Sequence, residues 1–208
     1  MESLLTSQKA LIANGFEAYI VSSPQEAKAL FFDQILPSIP VKVASWGDSM
    51  TMHATGIWEE LFKQDEIEII KTFEEGVERS VIMERRRQAL LADLFVTGTN
   101  AITECGKLVN LDMIGNRTAP ISFGPKYVVI FAGQNKIVPD LESAFDRIKT
   151  VAAPLNAKRH GYTTPCVKTG TCHDCNSKKR ICNTWSIMDK CYPKQRIKVV
   201  LIEQDLGL

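Results

Sequence analysis

Residues 99–117 read TNAITECGKLVNLDMIGNR and gather reactive and hydrogen-bonding side chains among apolar ones. Asn100 and Asn116 offer amide donors, and Arg117 offers a planar cation that suits a carboxylate or a phosphate. Glu104 is the carboxylate in this stretch placed to act as a general base. Each has a plainer reading beside it: Glu104 bonds backbone amides and holds the loop in shape, and Arg117 forms a surface salt bridge. Cys105 follows Glu104 directly, and the adjacent negative charge disfavours its thiolate, so a buried, inert thiol is expected there.

A second concentration of chemistry lies further on. Of the six cysteines, five fall between Cys166 and Cys191. In a reducing compartment such clustering favours metal or redox chemistry over a disulfide framework. Within CVKTGTCHDCNSKKRIC, Cys166, Cys172, Cys175 and Cys182 follow the pattern C-x5-C-x2-C-x6-C, and Gly170 lets the chain curl so that four sulfurs converge. Four thiolates suit a [4Fe–4S] cluster or a structural zinc, each leaving a net charge of about −2. Lys168, Lys178, Lys179 and Arg180, set against Asp174, compensate it. Zinc sites of this kind usually carry two C-x-x-C knuckles, and Cys172 with Cys175 makes only one, which places the cluster ahead of zinc. Free or disulfide-linked thiols are the remaining alternative, with Cys191 a spare ligand and His173 pointing away from the set.

These residues need a frame. Leu4, Leu5, Leu11 and Ile12 recur at helical spacing over residues 2–13, with Gly15 as the cap, and Phe16 to Val21 reads as a strand. Ser23-Pro24-Gln25-Glu26 matches a capping box that opens a helix to about Leu36. Strands follow at 41–46, 67–72, 94–97, 126–131 and 197–202, with a hairpin arm at 107–112. Helices are expected from Ser49 past Phe62, from Val77 to Leu91, and from Pro139 past Ile148. This alternation implies βαβ units and an open, mainly parallel α/β sheet. Such sheets bind ligands beyond the carboxyl ends of their strands, which singles out the loops 46–51, 98–101 and 133–136. In the first, Gly47 permits close backbone approach and Ser49 supplies a hydroxyl, though a plain turn and helix cap fit the same residues.

Composition bounds the function. The chain has 208 residues, 45% hydrophobic and 24% charged, with 25 basic and 24 acidic side chains and a formal net charge of +1. No global field steers it to nucleic acid or to a membrane surface. The run Glu84-Arg85-Arg86-Arg87 reads as the solvated face of a helix whose Val81, Ile82, Leu90 and Leu91 turn inward. The first residues lack the pattern of a secretory signal, and no apolar run suffices for a membrane span, so a cytoplasmic location is expected. No G-x-G-x-x-G fingerprint is present, which argues against a nicotinamide-dependent dehydrogenase acting alone. The expected organisation is an α/β unit over 1–160, a Cys-rich metal-binding segment over 161–193, and a strand within 194–208 that returns to the α/β unit.

The stretches WGDSMTMHATGIWEEL, TNAITECGKLVNLDMIGNR, SFGPKYVVIFAGQNKIVPDLESA and APLNAKRHGYTTPCVKTGTCHDC resemble the lactate-utilisation (LUD) domain family, in its short bacterial form with a Cys-rich tail. The resemblance runs from about Gly15 to Leu208. It implies a fold like the glucosamine-6-phosphate deaminase, ribose-5-phosphate isomerase and CoA-transferase group. It also implies that Cys166, Cys172, Cys175 and Cys182 match the four cysteines of the family tail; members without the tail keep the domain, so any metal is an accessory. The isomerases of that fold group place a catalytic aspartate where Asn100 stands, and an amide cannot act as acid or base, so their chemistry does not carry over. Two functions follow from the resemblance and the residues together. One is an accessory or subunit of a redox system for lactate or a related small hydroxy acid, binding an anionic small molecule at Gly47, Ser49, Asn100, Asn116 and Arg117, holding an iron–sulfur cluster and meeting redox partner subunits or further copies of itself. The other is a transferase-like or isomerase-like enzyme acting on a phosphate, nucleotide or CoA derivative, with Glu104 as base or as an anhydride-forming nucleophile and zinc in the tail.

Overall fold

The computed structural model describes residues 2–208; Met1, the first residue of the expected α/β unit, lies outside them. The first helix, α1 (Glu2–Ala13), buries Leu4, Ser7 and Leu11 on one face and ends at Gly15, whose φ of +87° only glycine adopts without strain. The chain continues through β1 (Glu17–Val21) into α2 (Pro24–Leu30). There Ser23 Oγ accepts the Glu26 amide at 3.2 Å, while the Glu26 carboxylate accepts the amide of Ser22, one residue earlier than a capping box requires. A π-helical turn over Phe31–Ile35 and a 3-10 turn carry the helical path to Ser38. Next come β2 (Val43–Trp46), α3 (Met50–Thr55), α4 (Ile57–Leu61), β3 (Glu68–Ile70), α5 (Arg79–Gln88) and β4 (Leu94–Gly98).

A hairpin of β5 (Ala101–Thr103) and β6 (Leu108–Asp112) leads to α6 (Thr118–Ser122) and β7 (Tyr127–Gly133). The remainder is β8 (Ile137–Val138), α7 (Leu141–Arg147), α8 (Ala153–Arg159), α9 (Pro165–Thr169), β9 (Thr184–Met188) and β10 (Ile197–Ile202). Two expected helices are interrupted. The one after Ser49 breaks at Gly56, which sits at φ +63° between α3 and α4. The one after Pro139 passes through a π-helical turn at Ile148–Ala152, directly before Pro154, whose ring nitrogen has no hydrogen to donate to the ladder.

Six strands form one sheet in the order β1-β10-β7-β4-β2-β3, with every neighbouring pair parallel. Its inner strands β4, β7 and β10 are buried on both faces, which is why β7 and β10 read as unbroken apolar runs rather than as alternating ones. One face buries Phe95, Val128, Ile130, Val199 and Leu201 with Leu4 and Leu11 of α1. The other buries Val96, Val129, Phe131 and Val200 with Phe31, Met52 and Trp58. The exception in β10 is Lys198, buried but paired with Glu17 on the neighbouring edge strand.

A smaller sheet, β8-β5-β6-β9, is parallel between β8 and β5 and antiparallel elsewhere. Its Ala101, Val109 and Leu111 pack on Ala144 of α7 and on Ile148, while Ile102 and Leu108 join the core beneath α1. Residues 161–193 thus contribute a strand to this sheet through Thr184–Met188, and 197–202 return to the large sheet between β1 and β7.

Candidate functional site

Strands β2 and β4 lie side by side, yet from β2 the chain moves outward to β3, whereas β4 is followed by strands on its other side, β7 and then β10. Their carboxyl ends are therefore a topological switch point, where the connecting loops part and leave a crevice. A cavity of about 180 Å³ occupies that place, and Ser49, Asn100, Asn116, Arg117 and Lys136 are among its lining residues.

The β5–β6 hairpin supplies the most constrained part of the wall. Asp112, at the end of β6, accepts the main-chain amides of Arg117 (2.8 Å) and Thr118 (2.7 Å) and the Arg117 side chain through Nε (3.1 Å) and Nη2 (2.8 Å). Arg117 Nη2 also donates to Asn100 Oδ1 at 2.7 Å, and Leu111 N donates to the same oxygen at 2.9 Å. Two donors on Oδ1 fix the orientation of the Asn100 amide, so its Nδ2 group is the end left for a ligand. Among the described residues no acceptor meets that nitrogen, nor Arg117 Nη1.

Gly47 touches this arrangement from beneath. A β-carbon there would stand 2.9 Å from Arg117 Cγ and 2.6 Å from Thr97 Oγ1, so a side chain at position 47 would displace the arginine. Behind the wall, Arg147 donates to the carbonyls of Asn100 (2.7 Å) and Asn135 (2.8 Å) and ties two of the three loops together.

Lys136 is buried at 4% exposure, and its Nζ donates to the main-chain oxygen of Leu208. Burial, with the Arg147 and Arg117 guanidinium groups nearby, pulls its ammonium from the usual lysine range to about 7. On the opposite side Asp48 accepts from Arg159 and from His53 Nε2 at 3.2 Å. Burial pushes the Asp48 carboxyl up, but these partners outweigh it and hold it below the ordinary aspartate value. Burial, aided by Arg159, lowers His160, which favours its neutral form.

Of the charged lining residues, Asp112 is spent on Arg117 and Asp48 on Arg159, and among the described residues no side-chain carboxylate pairs with Arg86 or Lys136, whose Nζ meets only the Leu208 oxygen. Arg86 comes from the middle of the Glu84–Arg87 run. Arg85 and Arg87 pair with glutamates at the surface as a solvated face requires, but Arg86 turns inward, its guanidinium 4.7 Å from the Phe73 ring centre. The expectation that the whole run is solvated is corrected at this residue, and so is the inward turn expected of Val81 and Leu91, which are exposed.

Other expectations change as well. Glu104 does not line the cavity. It follows β5 at the far end of the hairpin, four residues of extended chain from Asn100 and so about 13 Å away. The turn it begins is held against α1, where Asn14 Nδ2 donates to the carbonyls of Cys105 and Gly106. Cys105 is exposed, and the buried thiol is Cys191. Cys191 sits in the core with its Sγ against Pro193 O, which removes it as a spare ligand.

In the Cys-rich segment, Arg180 donates to the carbonyls of Cys175 (2.7 Å) and Cys182 (3.0 Å) and folds the loop around itself. Burial raises the Cys182 thiol, Arg180 lowers it, and Cys172 and Cys175 are near enough to raise it further. The amide of Asp174 donates to Cys172 Sγ at 3.4 Å. Cys166 lies on α9 with its Sγ against Thr164 Oγ1, and His173 bonds Thr169. Among the described residues no three metal-ligating side chains already surround a common point. The donor chemistry nonetheless fits a thiolate-bound metal in the vicinity of Cys172, Cys175 and Cys182.

Lys136 and Asp48 lie in loops that the strand order singles out, yet neither carries a motif. Arg86, Asp112 and Arg159 acquire meaning only from partners distant in sequence.

The LUD domain family model matches residues 7–202. No curated protein matches the chain. Among solved structures, a DUF162 family protein from Deinococcus radiodurans is similar at 12% identity and a TM-score of 0.52, over 97% of this chain and 96% of that one. A ribose 5-phosphate isomerase from Plasmodium falciparum aligns at 13% identity and a TM-score of 0.28, over 67% of this chain and 54% of its own. The first likeness is one of fold.

Proposed function

Because the chain belongs to the LUD domain family, we propose that its cavity at the β2/β4 switch point seats the carboxylate of lactate or a related small hydroxy acid, as an accessory or subunit of a redox system. The observation that carries this reading is the charge arrangement: both lining side-chain carboxylates are already paired, while Arg86 and Lys136 have no side-chain carboxylate among the described residues. An anion of that size relieves the buried Lys136 ammonium. Arg117 Nη1 and the Lys136 ammonium bind the carboxylate, and Asn100 Nδ2 donates to the neighbouring oxygen. The cavity suits a three-carbon acid better than a large one.

Cys166, Cys172, Cys175 and Cys182 are the residues that hold a metal centre in this reading. A [4Fe–4S] cluster bound there supplies one-electron transfer, and zinc would supply structure alone. The transferase-like or isomerase-like alternative draws less support, since Glu104, its base or nucleophile, lies outside the cavity.

Calorimetric titration of the protein with L-lactate tests the site. Arg117→Ala is expected to weaken binding by at least about 1 kcal/mol, the scale of a lost charged hydrogen bond. Equal affinity in the variant, with its fold intact by circular dichroism, would remove Arg117 from the reading.

A further inference from the structure

A second groove opens from the mouth of the cavity, sharing Arg86, Met113, Ile114 and Tyr162 with it. One wall is a face of α5. Arg79, Ile82 and Arg86 fall at i, i+3 and i+7, so the two guanidinium stems lie about 10 Å apart along the axis with an apolar residue between them. The other wall carries Lys178 and Lys179 from the Cys-rich segment. No carboxylate lines this groove among the described residues. Nearby acids are engaged elsewhere: Glu74 with Lys71 and Arg85, Glu84 with Arg87, Asp174 with Arg180, and Glu78 with the Ser80 hydroxyl.

Two basic walls therefore face each other with no carboxylate lining the space between them, and Arg86 is half-buried there. Across the opening lies Tyr162. Its ring stacks on His160 with centres 5.7 Å apart, and Lys179 Nζ stands 5.5 Å from the ring centre. Cations spaced along a trough and ending at an aromatic face match a nucleotide, whose phosphates take the charges and whose base takes the ring.

We propose that the groove between α5 and Lys178–Lys179 is a second ligand site, which takes the diphosphate of a nucleoside diphosphate with its base against Tyr162. The site is separate from the carboxylate seat, and Arg86 stands at the junction. A ligand held there places its phosphates beside the acid bound in the inner cavity. Arg86 faces both occupants, while Arg79, Lys178 and Lys179 line this groove and not the inner cavity, so neither site needs the other to bind.

ADP, adenosine and inorganic diphosphate, each titrated calorimetrically into the full-length protein at low ionic strength, test this. ADP is expected to bind tightest, diphosphate to bind and compete with it, and adenosine to bind weakly. ADP affinity should fall with added salt, because exposed charge pairs are screened. The combined substitutions Arg79→Ala, Lys178→Ala and Lys179→Ala should lower ADP affinity by at least about tenfold while leaving L-lactate affinity unchanged. Arg79→Ala alone, on a helix that carries no cysteine, should already weaken ADP and guards against a disturbed Cys-rich segment. Undetectable ADP binding to the wild-type protein, equal binding by adenosine, or unaltered affinity in the combined variant would each overturn the proposal. Failure of lactate to bind while ADP behaves as described would overturn the carboxylate seat and leave this groove standing.

Discussion

At the scale of single residues, Lys136 combines burial with charge. Its amine titrates near pH 7 when folded and near its usual 10.5 when unfolded. Below pH 7 both states hold the proton, and the cost of burying the ammonium is fully present. Between pH 7 and 10.5 the unfolded chain holds more protons, so stability rises with pH across that window. Lys136→Met is accordingly expected to stabilise the protein by on the order of 3 kcal/mol at pH 6, by less at pH 9, and to weaken lactate binding at pH 6. Urea melts at the two pH values, with a titration beside each, check both parts. A stability gain that does not shrink with rising pH would mean the amine is not neutralised by folding. Asn100, Asn116 and Arg117 are singled out by their types and by their place near strand ends, and all three line the cavity. Lys136, Arg86 and Asp48 are not legible in the sequence, since their roles depend on which charges lie near them and which are already paired.

At the scale of elements, long apolar strands and capped helices were readable, and short or interrupted ones were not. β10 is read from its sequence over the same residues, 197–202, because a run buried on both faces has nothing else to be. β5 has three residues and β9 lies in a segment whose cysteines dominate its pattern, so neither announces itself and the small sheet goes unread. The loops at the switch point are also fixed by a clamp at the other end of the strands. Asp93, just before β4, accepts the amides of Lys42 (2.9 Å) and Val43 (3.0 Å) at the start of β2 and pairs with Lys126 before β7. The Lys126 ammonium and those amides hold its carboxyl down to about 2. The stability that Asp93 contributes is complete above pH 4 and is lost as pH falls through about 2. Asp93→Asn should therefore lower stability at pH 6, with the difference from the wild type narrowing by pH 2. Thermal melts at the two values measure it, and a constant difference would mean the carboxylate charge has no part in the clamp.

At the scale of the whole molecule, the four clustered cysteines lie outside the two large cores, although Cys191 of the same segment belongs to one of them. The cores on the two faces of the six-stranded sheet contain none of Cys166, Cys172, Cys175 and Cys182. Only Cys182 touches a cluster, the small one beside α7. Cys172→Ser is expected to abolish bound iron or zinc in anaerobically prepared protein while leaving the melting temperature of the α/β core within a few degrees, about what a surface change does. Metal and acid-labile sulfide analysis with calorimetry decides it; metal retained in the variant would exclude Cys172 as a ligand. Among the described residues no helix is long and apolar enough to cross a membrane.

The position of β10 bears on how the polypeptide comes to be folded at all. This strand lies between β1 and β7, yet 175 residues separate the end of β1 from its start. On a ribosome, β1 and α1 emerge first and wait, with a hydrogen-bonding edge and an apolar face uncovered, until residues 197–202 arrive to join them to the rest. The nascent chain carries this sticky surface while those 175 residues are added, at some ~5–20 residues per second. Arrival of residues 197–202 is the event that joins β1 to the sheet, whereas β2, β4 and β7, which carry the three ligand-facing loops, pair without it.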